Sequence, residues 1–273
     1  MSIFGYEGKR VVIAGCFSGV GEAAARRLLE LGAEVHGVDV RPCALPLASF
    51  REMDLRDPVA IDATVTAIGG EIDGLFNCAG LPQTFPPLDV MKVNFIGMRH
   101  WTEAWIPRIR RGGGVATVAS NAAYLYAPRV PMLLELVDTP DFASAVKWLE
   151  ARPDVMGDGY TLSKEAIVVY TQKRAAQLAK EGVRLNATLP SPIETPMMGE
   201  FLKIVPGKVM DVFSEPVGRK STPEEQADPL VFLNSEAARF VSGHTLMVDA
   251  GFVGGVVTGE IDVKAKLAAS VPA

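Results

Sequence analysis

Cysteine and histidine are scarce in this chain, three of each among 273 residues, and neither type is clustered. Cys16, Cys43 and Cys78 are odd in number and scattered, so they make no disulfide framework. Together with the dispersed His36, His100 and His244 they match no metal-ligand spacing, and no metal site is expected. Small core fillers in a reduced, cytoplasmic compartment is the reading that fits these cysteines. Basic runs are also missing. Lys and Arg number 27 against 32 Asp and Glu, a net charge of −5, which argues against a nucleic-acid partner. No apolar stretch reaches the length of a membrane span, and the opening Met-Ser-Ile-Phe-Gly-Tyr-Glu-Gly-Lys lacks a signal-peptide pattern. What remains is an ordinary globular composition, 48% hydrophobic and 22% charged, long enough to bury a substantial core.

The first half alternates short apolar strands with amphipathic helices. Lys9–Ala14, Glu34–Asp39, Ile72–Phe76 and Val115–Ala119 read as strands. Gly21–Leu31 reads as a helix with Ala24, Leu28 and Leu31 on one face. A second helix, Pro58–Ile68, follows Asp57 as N-cap with proline in first position, and a third runs from about Asp89 to Ile109. Beyond Tyr160 come a long helix to about Lys180 and the strand Val183–Leu189. Repeated strand–helix alternation with apolar strands predicts an α/β fold, a Rossmann-type doubly wound parallel sheet with helices on both faces. No linker or repeat divides the chain, so one domain spanning 1–273 is expected, with a tail from about 253 to 273 that reads as irregular.

Ala14-Gly15-Cys16-Phe17-Ser18-Gly19-Val20-Gly21 lies between the first strand and the first helix. Glycines at 15, 19 and 21 let the backbone turn sharply and approach a pyrophosphate, whose charge the helix N-terminus stabilises. The strand–turn–helix context that the motif demands is present. Asp39 ends the second strand, 18 residues past Gly21, where a carboxylate accepts from adenosine ribose hydroxyls and repels a 2′-phosphate. That favours NAD over NADP, although Arg41 stands close enough to receive a phosphate instead.

Tyr160 and Lys164 are four residues apart on a helix, so phenol and ammonium share a face. A free tyrosine has a pKa of about 10, and a cation held nearby favours the phenolate. Such a pair handles protons for hydride chemistry on an alcohol or carbonyl. The spacing alone is weak, since many helices contain it by chance. The glycine turn upstream gives it weight.

With these two features and what lies between them, the chain resembles the short-chain dehydrogenase/reductase family from about Lys9 to Phe252. Gly15-x-x-x-Gly19-x-Gly21 matches the family's cofactor turn, with Phe17, Ser18 and Val20 among its contacts. Asp54-Leu55 resembles the pair that contacts adenine. Asn77-Cys78-Ala79-Gly80 resembles the Asn-Asn-Ala-Gly signature, in which Asn77, Ala79 and Gly80 would shape the cofactor pocket. Asn94 matches the helix asparagine that holds a proton-relay water, and Ser120 the catalytic serine. Pro190-Ser191-Pro192-Ile193-Glu194-Thr195 resembles the segment whose Ile193 and Thr195 would contact the nicotinamide carboxamide, and Gly243–Gly251 resembles the closing strand. The resemblance implies Tyr160 as general acid/base. Lys164 would lower its pKa and hold the nicotinamide ribose, while Ser120 and Tyr160 would hold the substrate oxygen. Four positions depart from the pattern: Ala14 stands for Thr, Cys78 for Asn, Ala119 for Ser and Ser191 for Gly. None removes a catalytic group.

Ser120 and Tyr160 are 40 residues apart, far more than is usual in the family. The inserted segment, about 121–159, contains its own helix signal: Asp138-Thr139-Pro140-Asp141 followed by Phe142, Ala145, Val146 and Leu149 at helical spacing. An insert there, with the strings Ile72–Gly80 and Arg108–Gly114, is similar to the 3α-hydroxysteroid dehydrogenase/carbonyl reductase and coniferyl-alcohol dehydrogenase subgroup. It would either cover the substrate cleft or occupy the surface through which family members form tetramers. The second is favoured and predicts a homodimer. The segment Met197–Val217 carries Met197, Met198, Phe201, Leu202, Val205, Met210 and Phe213. It would form an adaptable apolar wall for a hydrophobic ring substrate, with Met197, Met198 and Phe201 in contact, or pack the underside of an ordinary helix. A hydroxysteroid and an aryl alcohol both fit. An NADP-dependent carbonyl reductase and a non-catalytic dinucleotide sensor or scaffold are the alternatives.

Overall fold

Alternate residues of the strand Arg10–Ala14 (β1) serve two cores: Val12 and Ala14 face one, Val11 and Ile13 the other. That is the signature of a sheet covered on both sides. The computed structural model describes residues 3–214 and 217–270. After β1 come Gly19–Glu30 (α1), Glu34–Asp39 (β2), Ser49–Glu52 (β3), Pro58–Ile68 (α2) and Ile72–Asn77 (β4). Pro87–Met91 (α3) runs through a π-helical turn, Lys92–Gly97, into Met98–Trp105 (α4), followed by Ile109–Val118 (β5). Seven strands pair in parallel in the order β3-β2-β1-β4-β5-β6-β7, where β6 is Arg184–Pro190 and β7 is Thr245–Val248. The order in which strands are added across the sheet reverses between β1 and β4, so the crevice for a ligand opens outside their carboxyl ends.

One face is covered by α2, α4 and the helix Tyr160–Leu178 (α8), with Trp101 and Trp105 fully buried and packed edge to face at 5.7 Å. The other is covered by α1 and Pro223–Asn234 (α11). Buried Arg184 holds the end of α11, donating to the carbonyls of Leu233, Asn234 and Ser235, where the helix leaves acceptors unsatisfied. β3 has no counterpart among the predicted strands. Its sequence, SFRE, is a half-exposed edge without an apolar run, and its pairing to β2 supplies the order that the residues do not.

The insert is helical, with Val130–Val137 (α5), Phe142–Glu150 (α6) and Pro153–Met156 (α7). Asp141 caps α6, accepting from Ser144 N at 2.7 Å, as its start signal indicates. Leu133, Leu136, Ala145 and Leu149 are buried against the α4/α8 side of the sheet, so the insert lies along the outer face of those helices. Arg99 fastens it by donating to the carbonyls of Leu136, Val137, Thr139 and Asp141, a cation at the end of α5 where the helix dipole favours one.

The tail departs from its expected irregular form. Phe252–Thr258 (α12) and Val263–Ser270 (α13) are helices. Asp249 accepts from Gly251 N and Val253 N, Gly251 takes a positive φ, and Phe252 buries against Phe213 at 5.7 Å. A cap and an aromatic anchor outweigh the two glycines that make the segment look loose. Residues 271–273, at the end of the expected tail, and Glu215 and Pro216, inside the expected apolar segment, lie outside the described residues.

Candidate active site

A cavity of about 470 Å³ opens at the carboxyl edge of the sheet. Ser18, Gly19 and Val20 of the glycine turn line one part of it, and Ser120, Tyr160 and Lys164 another. Three local devices aim these side chains. Ser120 leaves the end of β5 and its Oγ accepts from Ala122 N at 3.2 Å. Asp158 accepts from Tyr160 N at 2.9 Å, capping α8. Gly159 makes the tight entry, with φ of +77° and Pro87 O only 2.4 Å from where a Cβ would stand. The first turn of α8 therefore presents Tyr160 and Lys164 together.

Ser120 is hydrogen-bonded to the Tyr160 phenol, and the Lys164 ammonium lies 5.5 Å from the Tyr160 ring centre while donating to Val118 O at 3.1 Å. Burial pushes the Tyr160 phenol above its usual value, the Ser120 hydrogen bond pulls it down and Asp158 raises it. This corrects the expectation that Lys164 depresses it. The ammonium is spent on a backbone carbonyl and sits over the ring, and desolvation wins. Burial also lowers Lys164 itself to about 8, with Cys78 opposing. Cys78 is likewise pushed up by burial to about 12, with Lys164 opposing.

Asn94 stands in the π turn, 1% exposed, with its amide fully committed: Oδ1 accepts from Leu81 N at 2.7 Å, and Nδ2 donates to Leu81 O and Ser163 Oγ. Ser163 in turn donates to Tyr160 O at 2.6 Å. The asparagine side chain thus ties the segment after Gly80 to the first turn of α8. Asn77 does not line the cavity. Its Nδ2 donates to Thr102 Oγ1 and Thr117 Oγ1, stitching β4 to α4 and β5, so any influence on a cofactor passes through the strand. Asp54 and Leu55 also lie off the cavity. Asp54 is held by Arg56, which pulls its carboxyl below the usual range, and Leu55 is core.

A dinucleotide needs a close backbone approach, and the turn is built for one. A Cβ on Gly15 would stand 2.3 Å from Ala79 N, and one on Gly21 would stand 1.8 Å from Gly15 O. Asp39 accepts from Phe17 N at 3.0 Å and Arg41 N at 3.1 Å, which fixes its carboxylate beside the turn. Arg41 stacks over the Phe17 ring at 3.9 Å. These residues fit a nicotinamide dinucleotide, with α1 opening at its phosphates.

Ile193, Thr195, Met197, Met198 and Phe201 line the cavity, as do Val205, Met210 and Phe213, whereas Leu202 points outward. Pro196–Phe201 (α9) and Gly207–Val212 (α10) carry this wall, and Phe201 meets the Tyr160 ring edge to face at 5.2 Å. Gln83, Asn121, Tyr124 and Phe252 also line the cavity and were not singled out from sequence. For Phe252 a signal existed in the apolar run after the Asp249–Gly251 turn. Gln83 and Tyr124 have none, since loops bring them in. Among the described residues no group of three or more His, Cys, Asp or Glu is placed to hold a metal, and no helix is long and apolar enough to cross a membrane.

Comparison with known proteins agrees with this geometry. Residues 9–132 match the family model described as short chain dehydrogenase, and residues 149–253 the one described as Enoyl-(Acyl carrier protein) reductase. Coniferyl-alcohol dehydrogenase from Pseudomonas sp. (strain HR199 / DSM 7063) is 32% identical over 244 residues, covering 89% of this chain and 96% of that protein. The 3-alpha-hydroxysteroid dehydrogenase/carbonyl reductase of Comamonas testosteroni is 34% identical over 248 residues, covering 88% and 95%. The solved 3-alpha-hydroxysteroid dehydrogenase from Pseudomonas sp. B-0831, complexed with NADH, superposes with a TM-score of 0.77 at 29% identity, covering 92% and 99%. With the glycine turn, the Tyr160/Lys164 helix and relatives of this similarity over nearly its whole length, the chain belongs to the short-chain dehydrogenase/reductase family, oxidoreductases that act on alcohol and carbonyl groups with a nicotinamide dinucleotide.

Proposed function

We propose that the protein is an NAD-dependent oxidoreductase that interconverts a hydrophobic alcohol, a hydroxysteroid or an aryl alcohol, and its carbonyl. The observation that carries this reading is convergence: Ser120, Tyr160 and Lys164 meet the glycine turn in one cavity that also has a wall of Met, Phe and Val. A nicotinamide held here would supply the hydride for reduction and accept it in oxidation. Tyr160, a phenol protonated at neutral pH at its ordinary pKa of about 10 and pushed higher by burial, donates to the carbonyl oxygen in reduction and takes the proton back in oxidation. Ser120 donates a hydrogen bond to the same oxygen and keeps the phenol oriented. Lys164 would hold the nicotinamide ribose, and the amide of Asn94 holds the Leu81 backbone just after Gly80. Asp39, beside the turn, accepts from the adenosine ribose and disfavours a 2′-phosphate, which supports NAD. The apolar walls favour a ring substrate without charge. The dehydrogenases of coniferyl alcohol and of 3-alpha-hydroxysteroids among the relatives support both ring classes.

Tyr160→Phe is expected to lower turnover about 10²–10⁴-fold while NADH still binds. A spectrophotometric panel of steroid and aromatic alcohols with NAD, repeated with NADP, checks both the substrate and the cofactor. A variant that kept most of the wild-type rate would refute the assignment of Tyr160, and activity confined to NADP would refute that of Asp39.

A further inference from the structure

We propose that Cys16 and Cys43 form a dithiol site that reacts with a low-molecular-weight disulfide, closing to a cross-link that couples the redox state of the pair to dinucleotide binding. Cys16 lies in the glycine turn itself, wholly buried, and Cys43 lies half-buried in the loop after β2. The Cys43 thiol donates to Cys16 O at 3.2 Å, which seats it on the backbone of the other cysteine. Cys16 Sγ has a further contact to Val38 O at 3.7 Å. β2 leaves room for this sulfur, since a Cβ on Gly37 would stand 2.8 Å from it. Neither residue lines the cavity, whereas Cys78 does, so the pair is separate from the reacting groups.

The order of events follows from exposure. Burial suppresses the Cys16 thiolate, and Cys43 and Asp39 suppress it further. The half-buried Cys43 therefore reacts first. Its thiolate attacks one sulfur of the small disulfide, forming a mixed disulfide and expelling one thiolate, which is protonated. Cys16 then gives up its proton and attacks the Cys43 sulfur, expelling the second thiol. Two protein thiols are oxidised, one small disulfide is reduced to two thiols, and the chain loses two hydrogens. Cys43 Sγ rests on the Cys16 carbonyl and must swing to within about 2.05 Å of Cys16 Sγ, so the turn or the loop has to move. Asp39 is held by Phe17 N from the turn and Arg41 N from the loop, and Arg41 stacks on Phe17. Closure therefore displaces the carboxylate beside the turn and weakens the dinucleotide site.

The test uses the full chain and oxidised glutathione, with intact mass, non-reducing peptide mapping and NADH fluorescence titration. The expected result is a loss of two hydrogens, a Cys16–Cys43 cross-linked peptide and an NADH Kd raised by about fivefold or more, all reversed by dithiothreitol. Cys43→Ser should show neither change while binding NADH like the reduced wild type. A stable glutathione adduct on Cys43, a cross-link to Cys78, no reaction, or a cross-link that leaves NADH affinity unchanged would overturn the proposal. The affinity arm rests on the proposed dinucleotide site. Failure of the reduced wild type to bind NADH would count against that site, whereas the mass readout tests the dithiol by itself.

Discussion

Lys164 is the residue at which stability and chemistry are most opposed. It is 5% exposed and its pKa falls to about 8 because burial penalises the ammonium, with Cys78 the group that raises it. The unfolded chain holds the proton up to about 10.4, so between about 8 and 10.4 it binds more protons than the native state, and stability rises with pH across that window. Below 8 both states are charged and the full cost of burial is present. Lys164→Met is accordingly expected to melt higher than the wild type at pH 7, by about 2 kcal/mol, with the gain fading towards pH 10. Calorimetry at the two pH values checks this, and a gain independent of pH would show that packing, not charge, caused it. The same cation that weakens the fold sits against Tyr160 and is offset by its hydrogen bond to Val118 O. Its burial was not legible from the Tyr-x-x-x-Lys spacing, because helical periodicity states which residues share a face but not how dry that face is.

Among the elements, the insert and α12 add residues to the cavity wall that α9 and α10 carry. The insert is fastened to α8 by Arg129, which pairs with the buried Glu165 at 2.6 Å, and by Tyr126, whose hydroxyl accepts from Gln172 at 2.8 Å. Asn121, Ala122 and Tyr124, near its start, form part of the cavity wall. Arg129→Met leaves the Glu165 carboxylate buried without its partner and should cost about 1–3 kcal/mol, since the arginine is partly exposed. The Arg129→Met/Glu165→Gln double variant is expected to recover part of that loss in urea unfolding. Strictly additive losses would mean that the two residues do not interact. Phe252, at the start of α12, packs against Phe213, with Tyr124 of the insert in the same cluster. Phe252→Ala should raise KM for a hydrophobic alcohol with little change in kcat, because the wall binds ground and transition states alike. A drop in kcat at constant KM would place Phe252 in the chemistry instead. The helix signal before Phe142 was readable in sequence because capping and periodicity are local. The fastening by Arg99 and Arg129 was not, because it joins residues far apart in the chain.

Across the whole molecule, α5 and α6 occupy the outer face of α4 and α8, the surface on which a tetramer of the family kind would depend. Light scattering of the intact chain is expected to report a dimer, and a tetramer would refute this use of the insert. The amino-acid sequence alone determined the alternation of strands and helices, the glycine turn, the order of Asn94, Ser120, Tyr160 and Lys164, and the presence of an insert. Each of these rests on spacing within one element or on a short motif. Only the tertiary structure decided that Asn77 serves the sheet rather than the cavity, that Asp54 is held by Arg56, that the tail folds into helices beside the cavity wall, and that the Cys43 thiol meets the Cys16 carbonyl. The reason is physical: hydrogen bonding and desolvation depend on groups brought together from distant parts of the chain, and a local pattern carries no record of them.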